Sequence, residues 1–183
     1  MNRFVVMTVG MTHSGKSTFA GMLEEKVKNS IVIDQDNHAA FLNTHYSRLV
    51  PGDGPNTIKH SMTKMIVDHA IVETDLHLII CNSNRNAKAR NALLEDFKRK
   101  GFSTILVYFN VPDSILETRV RETKRDPSVL RTVSSFDEVL RRQQEESLFL
   151  SSPSVEEADH FFTIEEEGEI SGVLAKVAEL LSS

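Results

Sequence analysis

The chain has 183 residues, 40% apolar and 26% charged, ordinary values for a globular protein with a sizeable core. A net charge of −5 excludes a global basic field able to hold nucleic acid by charge alone, although a local basic groove stays open. A single cysteine, Cys81, excludes an intrachain disulfide framework or a cysteine zinc site and suits a reducing, cytoplasmic setting, and no apolar run is long enough to span a membrane.

Phe4 to Val9 is an apolar, β-rich run ending at Gly10 and reads as a buried strand. Ser17 to Lys28 carries Phe19, Leu23 and Val27 at helical spacing. Ile31 to Ile33 is a short second strand ending at Asp34, and a helix is expected from Asn37 to Asn43. Ser47 to Thr57 holds Pro51-Gly52-Asp53-Gly54-Pro55 and must be a loop. Ile58, Met62, Met65, Ile66 and Ala70 mark a second long helix. Leu76 to Cys81 reads as a third strand, Asn86 to Lys100 as a helix closed by Gly101, and Ser103 to Phe109 as a fourth strand. Asp113 is expected to cap the next helix. Ser135 and Glu138 suggest a capping box for a helix running to about Leu150. A fifth strand, His160 to Ile164, and a last amphipathic helix, Glu169 to Leu181, complete the chain. Alternating strands and helices, with strands apolar on both faces, predict one domain over residues 1–183. The expected architecture is a three-layer α/β sandwich on a five-stranded parallel sheet.

Gly10-Met11-Thr12-His13-Ser14-Gly15-Lys16-Ser17 is the P-loop (Walker A) pattern G-x-x-x-x-G-K-[ST], set between a buried strand and a helix. Glycines let the backbone turn tightly around a phosphate with its N–H groups facing inward, and the helix N-terminus adds positive potential. The expected nucleotide-binding set is Gly10, Thr12, His13, Ser14, Gly15, Lys16, Ser17 and Thr18. Lys16 would bridge the β- and γ-phosphates of ATP, and the Ser17 hydroxyl would ligate Mg²⁺. Within this set His13 holds a variable position and reads as a solvent-facing side chain. Thr123-Lys124-Arg125-Asp126 fits the guanine-reading string of GTPases, but it follows a helix and no D-x-x-G switch accompanies it.

The second strand ends in Asp34-Gln35-Asp36. In an open parallel sheet ligands bind beyond the carboxyl ends of the strands, so this acidic pair belongs at the edge that carries the P-loop. A carboxylate there can take the proton of an attacking hydroxyl, or one of the two can simply cap the following helix.

The P-loop followed by an apolar strand ending Asp-x-Asp resembles the P-loop kinases that include polynucleotide kinase and the zeta toxins, on a nucleoside-monophosphate-kinase type of fold. The resemblance implies Asp36 as general base, with Asp34 helping to bind substrate or metal. The segment Ile79 to Asn84 is similar to that group's strand ending Asp-x-Thr-Asn, with Cys81 where the group has Asp. Ser83, Asn84 and Arg90 become candidate substrate contacts. Arg119, Arg121 and Arg125 resemble the group's lid, here residues 119–135, and Arg121 and Arg125 match best as catalytic arginines. Arg131, Arg141 and Arg142 read as surface residues. By the same resemblance, Thr163 to Gly168 would line the adenine pocket. An arginine that follows the base in polynucleotide kinase falls near Ala39 here, which counts against a nucleic-acid substrate. The implied activity is transfer of the γ-phosphate of ATP to a hydroxyl of a small molecule or a nucleic-acid 5′ end. No obligate protein partner and no membrane are implied. The Cys81 departure leaves a second reading, nucleotide binding without transfer.

Overall fold

The computed structural model describes residues 2–125, 130 and 135–182. Five strands, β1 (Arg3–Gly10), β2 (Ser30–Asp34), β3 (His77–Cys81), β4 (Phe102–Phe109) and β5 (His160–Ile164), form one parallel sheet in the order β2-β3-β1-β4-β5. The helices are α1 (Lys16–Lys26), α2 (Gln35–His45), α3 (Thr57–Glu73), α4 (Ala87–Arg99), α5 (Asp113–Glu122), α6 (Phe136–Ser147) and α7 (Ile170–Ser182).

Parallel strands need helical crossovers, and those crossovers cover both faces of the sheet. Alternate residues of β1 therefore enter different cores. Val6 packs with Phe19 and Leu23 of α1, Leu116 of α5, Val139 of α6 and Val177 of α7. Val5 faces the opposite layer with Ala70 of α3 and Phe97 of α4, and Met7 meets Leu94 of α4. Burying a side chain of this size contributes about 1.5–3 kcal/mol, so this two-sided apolar pattern holds the three layers together.

Strand register positions the site. Asp34 pairs with Cys81, Cys81 with Thr8, and Thr8 with Val107, which makes one row across the sheet. β1 ends two residues later at Gly10, and Ser17 in the first turn of α1 reaches Asp34 at the end of β2 and Cys81 at the end of β3.

Some local expectations are corrected. The second helix starts at Gln35, directly after the strand, because the Asp34 side chain accepts from the Asp36 amide and caps it. Asp113 is already helical and Pro112 holds the N-cap position with no side-chain bond, since a proline with fixed φ pre-sets the chain there. The loop at 47–57 contains a short 3-10 turn, Ser47–Leu49, and α3 begins at Thr57 with Asn56 as its cap. Ser135 does cap α6, its Oγ accepting from the Glu138 amide at 3.3 Å. The segments 126–129 and 131–134 of the expected lid, with Arg131, lie outside the described residues. No helix among the described residues is long and apolar enough to cross a membrane.

Candidate functional site

The loop after β1 has the geometry its glycines require. Gly10 sits at φ 154, and a Cβ there would lie 2.9 Å from the Phe109 carbonyl oxygen. Its amide donates to the Ser83 carbonyl at 3.1 Å, tying the loop to the end of β3. Gly15 adopts φ 102 at the N-cap of α1, where no side chain caps the helix. The first-turn amides of α1 therefore remain available to an anion. The Lys16 ammonium folds back over the loop, donating to the Met11 carbonyl and, at 3.1 Å, to Ser14 Oγ. Burial lowers its pKa to about 8, against the raising effect of the Asp36 and Asp34 charges.

The acidic strand end meets this loop through α1. Asp34 is buried, and its two oxygens have separate roles. Oδ1 accepts from the Asp36 amide at 2.8 Å and Oδ2 accepts from Ser17 Oγ at 3.1 Å. Cys81 Sγ lies 3.5 Å from the same Ser17 hydroxyl. Burial, then the Asp34 charge, pushes the Cys81 thiol up to about 11, so it stays protonated at neutral pH.

The opposite wall comes from α5, the segment that follows it and α6. Arg125 Nη2 donates to Asp36 Oδ2 at 2.7 Å, and its guanidinium stands 5.2 Å from the centre of the Phe136 ring. Arg119 donates to the His13 carbonyl at 3.3 Å and pairs with Glu167 at 3.4 Å. His13, at φ 59, bridges Thr12 Oγ1 at 2.9 Å and Thr123 Oγ1 at 3.0 Å and packs edge-on against Phe136. Gln143 Oε1 accepts from the Thr12 amide at 2.7 Å. Together these walls enclose a cleft of about 810 Å³.

Most of the expected residues share that cleft. Thr12, His13, Gly15, Lys16, Ser17 and Thr18 line it from the phosphate loop, and Asp34, Asp36, Ser83 and Arg125 line it from the other elements. Gly10 shapes the loop and Ser14 supports Lys16 from within it. His13 is not a solvent-facing filler, because it joins the phosphate loop to the end of α5.

Four expectations are corrected by position. Arg121 lies on the outer face of α5, 3.6 Å from Glu117 with 71% of its side chain exposed, and Arg119 takes the inward place. Arg90 is fully buried, with bonds of 2.6 and 2.9 Å to Glu157 and further bonds to the Asn84 and Arg85 carbonyls. Asn84, at φ 47, donates to the Thr8 carbonyl at 2.8 Å and braces β3 against β1. Arg142, expected at the surface, lines the cleft, as do Asn37, Lys59, Asn82, Phe136 and Gln143. Asn37 and Asn82 adjoin segments the sequence already marks, whereas no motif marks Lys59, Phe136, Arg142 or Gln143, which reach the cleft through long-range packing. Glu167, inside the segment expected to line an adenine pocket, also lines the cleft.

The donors fit Mg²⁺ in a specific way. Among the described residues no group of three or more His, Cys, Asp or Glu side chains is arranged to hold a metal. The Ser17 hydroxyl and the Asp34 carboxylate, 3.1 Å apart, are hard oxygen ligands. Mg²⁺ characteristically takes one or two protein oxygens and completes its shell with phosphate and water. The protonated Cys81 thiol adds no suitable ligand.

A five-stranded parallel sheet, a P-loop after its central strand and helices on both faces define a P-loop kinase-like α/β fold. Over residues 5–146 the chain matches the family described as an AAA domain, and it belongs to that family. No curated protein matches it as a relative. Its fold is similar to that of shikimate kinase from Bacteroides thetaiotaomicron, at 15% identity and TM-score 0.56 over 98% of this chain and 99% of that one. APS kinase from Mycobacterium tuberculosis, solved with AMPPNP and APS, is similar at 21% identity and TM-score 0.59 over 100% and 99% of the two chains. Kti12 from Chaetomium thermophilum, solved with ADP-AlF3, is similar at 13% identity and TM-score 0.65 over 98% and 100%.

Proposed function

We propose that the chain is an ATP-dependent kinase that phosphorylates a hydroxyl group. The observation that carries this reading is the convergence of Lys16, Ser17, Asp34, Asp36 and Arg125 on one cleft at the carboxyl edge of the sheet. Lys16 and the loop amides hold the phosphates of ATP, and Ser17 and Asp34 hold Mg²⁺, which neutralises phosphate charge when bound. The acceptor oxygen attacks the γ-phosphorus and a new P–O bond forms. The bond from that phosphorus to the β–γ bridging oxygen breaks, and ADP leaves with its electron pair. Asp36 takes the hydroxyl proton. Arg125 moves from Asp36 to the transferring phosphoryl group, where charge must be stabilised and water excluded.

The Asp-x-Asp strand end supports placement with the polynucleotide kinase and zeta toxin-like group. The protonated Cys81 beside Ser17 favours the second reading, nucleotide binding without transfer. One experiment separates them: ATP consumption with and without a panel of hydroxyl acceptors, for the native chain and Asp36→Asn. A kinase shows acceptor-stimulated turnover that falls by about 10²–10⁴-fold in the variant, the usual contribution of a positioned base. Nucleotide binding with no acceptor stimulation, and indifference to the substitution, overturns the transferase reading.

A further inference from the structure

We propose that Lys59 determines acceptor specificity by binding the acid group of a small hydroxyl-bearing anion. This rests on the kinase reading of the same cleft.

The charges of the cleft are almost all accounted for. Arg125 pairs with Asp36, Arg119 pairs with Glu167, and Lys16 is folded into the phosphate loop. Arg142 has Glu146, 3.7 Å away on its own helix. Lys59 also lines the cleft and is half-buried, yet among the described residues its ammonium has no ion pair and no hydrogen bond. A partly desolvated cation without a partner is unfavourable until an anion arrives.

Helix stability does not explain Lys59. It stands in the first turn of α3, which contains no acidic residue, and a cation there opposes the helix dipole. The turn that carries it is nevertheless well fixed. Asn56 Oδ1 accepts from the Lys59 amide at 3.2 Å, and Thr63 Oγ1 donates to the Lys59 carbonyl at 3.0 Å. Thr63 Oγ1 in turn bonds His38 Nδ1 of α2 at 2.8 Å, and α2 also carries Asp36 and Asn37. Lys59 is thereby held in place relative to the candidate base. Burial, and then the Lys59 charge, lowers the pKa of His60, and the same charge acts on His38.

One unpaired cation matches one acid group, not an extended phosphate backbone. The acceptor is therefore a molecule with a hydroxyl at one end, for Asp36, and a separate carboxylate, sulfate or phosphate at the other, for Lys59.

The test uses the full chain saturated with a non-hydrolysable ATP analogue, so that the phosphate loop is filled. Sulfate is then titrated while the ¹³C-labelled lysine ε-methylene signals are followed. The Lys59 signal, assigned by its disappearance in Lys59→Gln, shifts saturably. The sulfate Kd, read by calorimetry in all three proteins, rises at least tenfold in Lys59→Gln and recovers in Lys59→Arg. Saturable sulfate binding that survives Lys59→Gln, or no sulfate binding beside bound nucleotide, overturns the inference and leaves the nucleotide site intact. Failure to bind the ATP analogue instead overturns the kinase reading. A 5′-hydroxyl DNA oligonucleotide that displaces sulfate far more tightly than a mononucleotide also overturns the inference and assigns the acceptor to nucleic acid.

Discussion

Arg125 Nη2 and Asp36 Oδ2 lie 2.7 Å apart across the cleft, although 89 residues separate them in the chain. The pair joins the first turn of α2 to the segment after α5. On the proposed kinase reading it neutralises the two groups that phosphotransfer would need apart: a carboxylate for the acceptor hydroxyl and a cation for the phosphate. Both side chains keep substantial exposure, 37% for Arg125 and 48% for Asp36, so exchange of partners costs little.

Arg125→Met is therefore expected to leave stability nearly unchanged and to damage turnover. A surface-accessible pair contributes about 0–1 kcal/mol, so the melting temperature should move by no more than about 4 °C. An arginine that stabilises a transferring phosphoryl group contributes about 10³–10⁵-fold to kcat. Acceptor-dependent ADP release, compared with the binding of a non-hydrolysable analogue, reads the two effects separately. A kcat within a few fold of the native value removes Arg125 from the chemistry.

His13 gives the protein a pH-dependent joint. Burial first, then the positive charges of Arg125, Lys16 and Arg119, hold its pKa below the usual 6.5. The fold therefore favours the neutral ring. As pH falls below 6.5 the unfolded chain takes up this proton before the native one, so stability is lost from there down through the lowered native value. His38, His60 and His77 are lowered by burial in the same way, so the native profile combines all four. His13→Asn tolerates the φ of 59 and removes one titrating group. Urea denaturation between pH 5 and 8 should show a shallower acid loss for His13→Asn than for the native chain. Parallel curves would rule out a contribution from His13.

The contrast between α5 and the phosphate loop explains what the sequence revealed. The strands were legible because burial on both faces demands near-continuous apolar runs such as Val5 to Val9 and His77 to Cys81. The phosphate loop was legible because its chemistry lies within eight consecutive residues. Asp34 and Asp36 were legible because parallel topology fixes where strand ends go. The lid arginines were only partly so. Residues two apart on a helix face nearly opposite ways, and Leu116 and Val120 already define the buried face of α5, beside which Arg119 sits. Gln143 and Phe136 reach the site from α6, more than a hundred residues beyond the loop they touch, and no local pattern reports such a contact.

Cys81 occupies the strand end beside the Ser17 hydroxyl, so Cys81→Asp is expected to exchange stability for metal dependence. Cys81 is 2% exposed, and a carboxylate there would sit beside Asp34 with no new cation. Burying an uncompensated charge costs about 3–5 kcal/mol, which lowers the melting temperature by roughly 10 °C in a chain of this length. Mg²⁺ with ADP should recover much of that loss, because a second hard carboxylate beside Ser17 suits the ion. Thermal denaturation at fixed ADP and increasing Mg²⁺ should show a larger upward shift for the variant than for the native chain. Equal shifts would mean that position 81 does not face the metal.

Arg90 and Glu157 form a buried pair whose role is structural, and the prediction is about stability. Their side chains are 0% and 10% exposed, and the bidentate bonds, 2.6 and 2.9 Å long, fix α4 to the segment before β5. Hydrogen bonding from Arg90 is the main cause that holds the Glu157 carboxyl below the usual carboxylate range. Glu157 also accepts from the Ser154 amide at 3.1 Å, so it organises the approach to the last strand. Removing the guanidinium alone strands a buried carboxylate, and Arg90→Met should cost about 3–5 kcal/mol by urea denaturation. Replacing both partners removes the orphaned charge, so Arg90→Met with Glu157→Met should be more stable than Arg90→Met alone. At a temperature where both variants are folded, acceptor KM should match that of the native chain. A KM raised tenfold or more in the folded Arg90→Met protein would instead return Arg90 to the acceptor site, against its place on the buried side of α4.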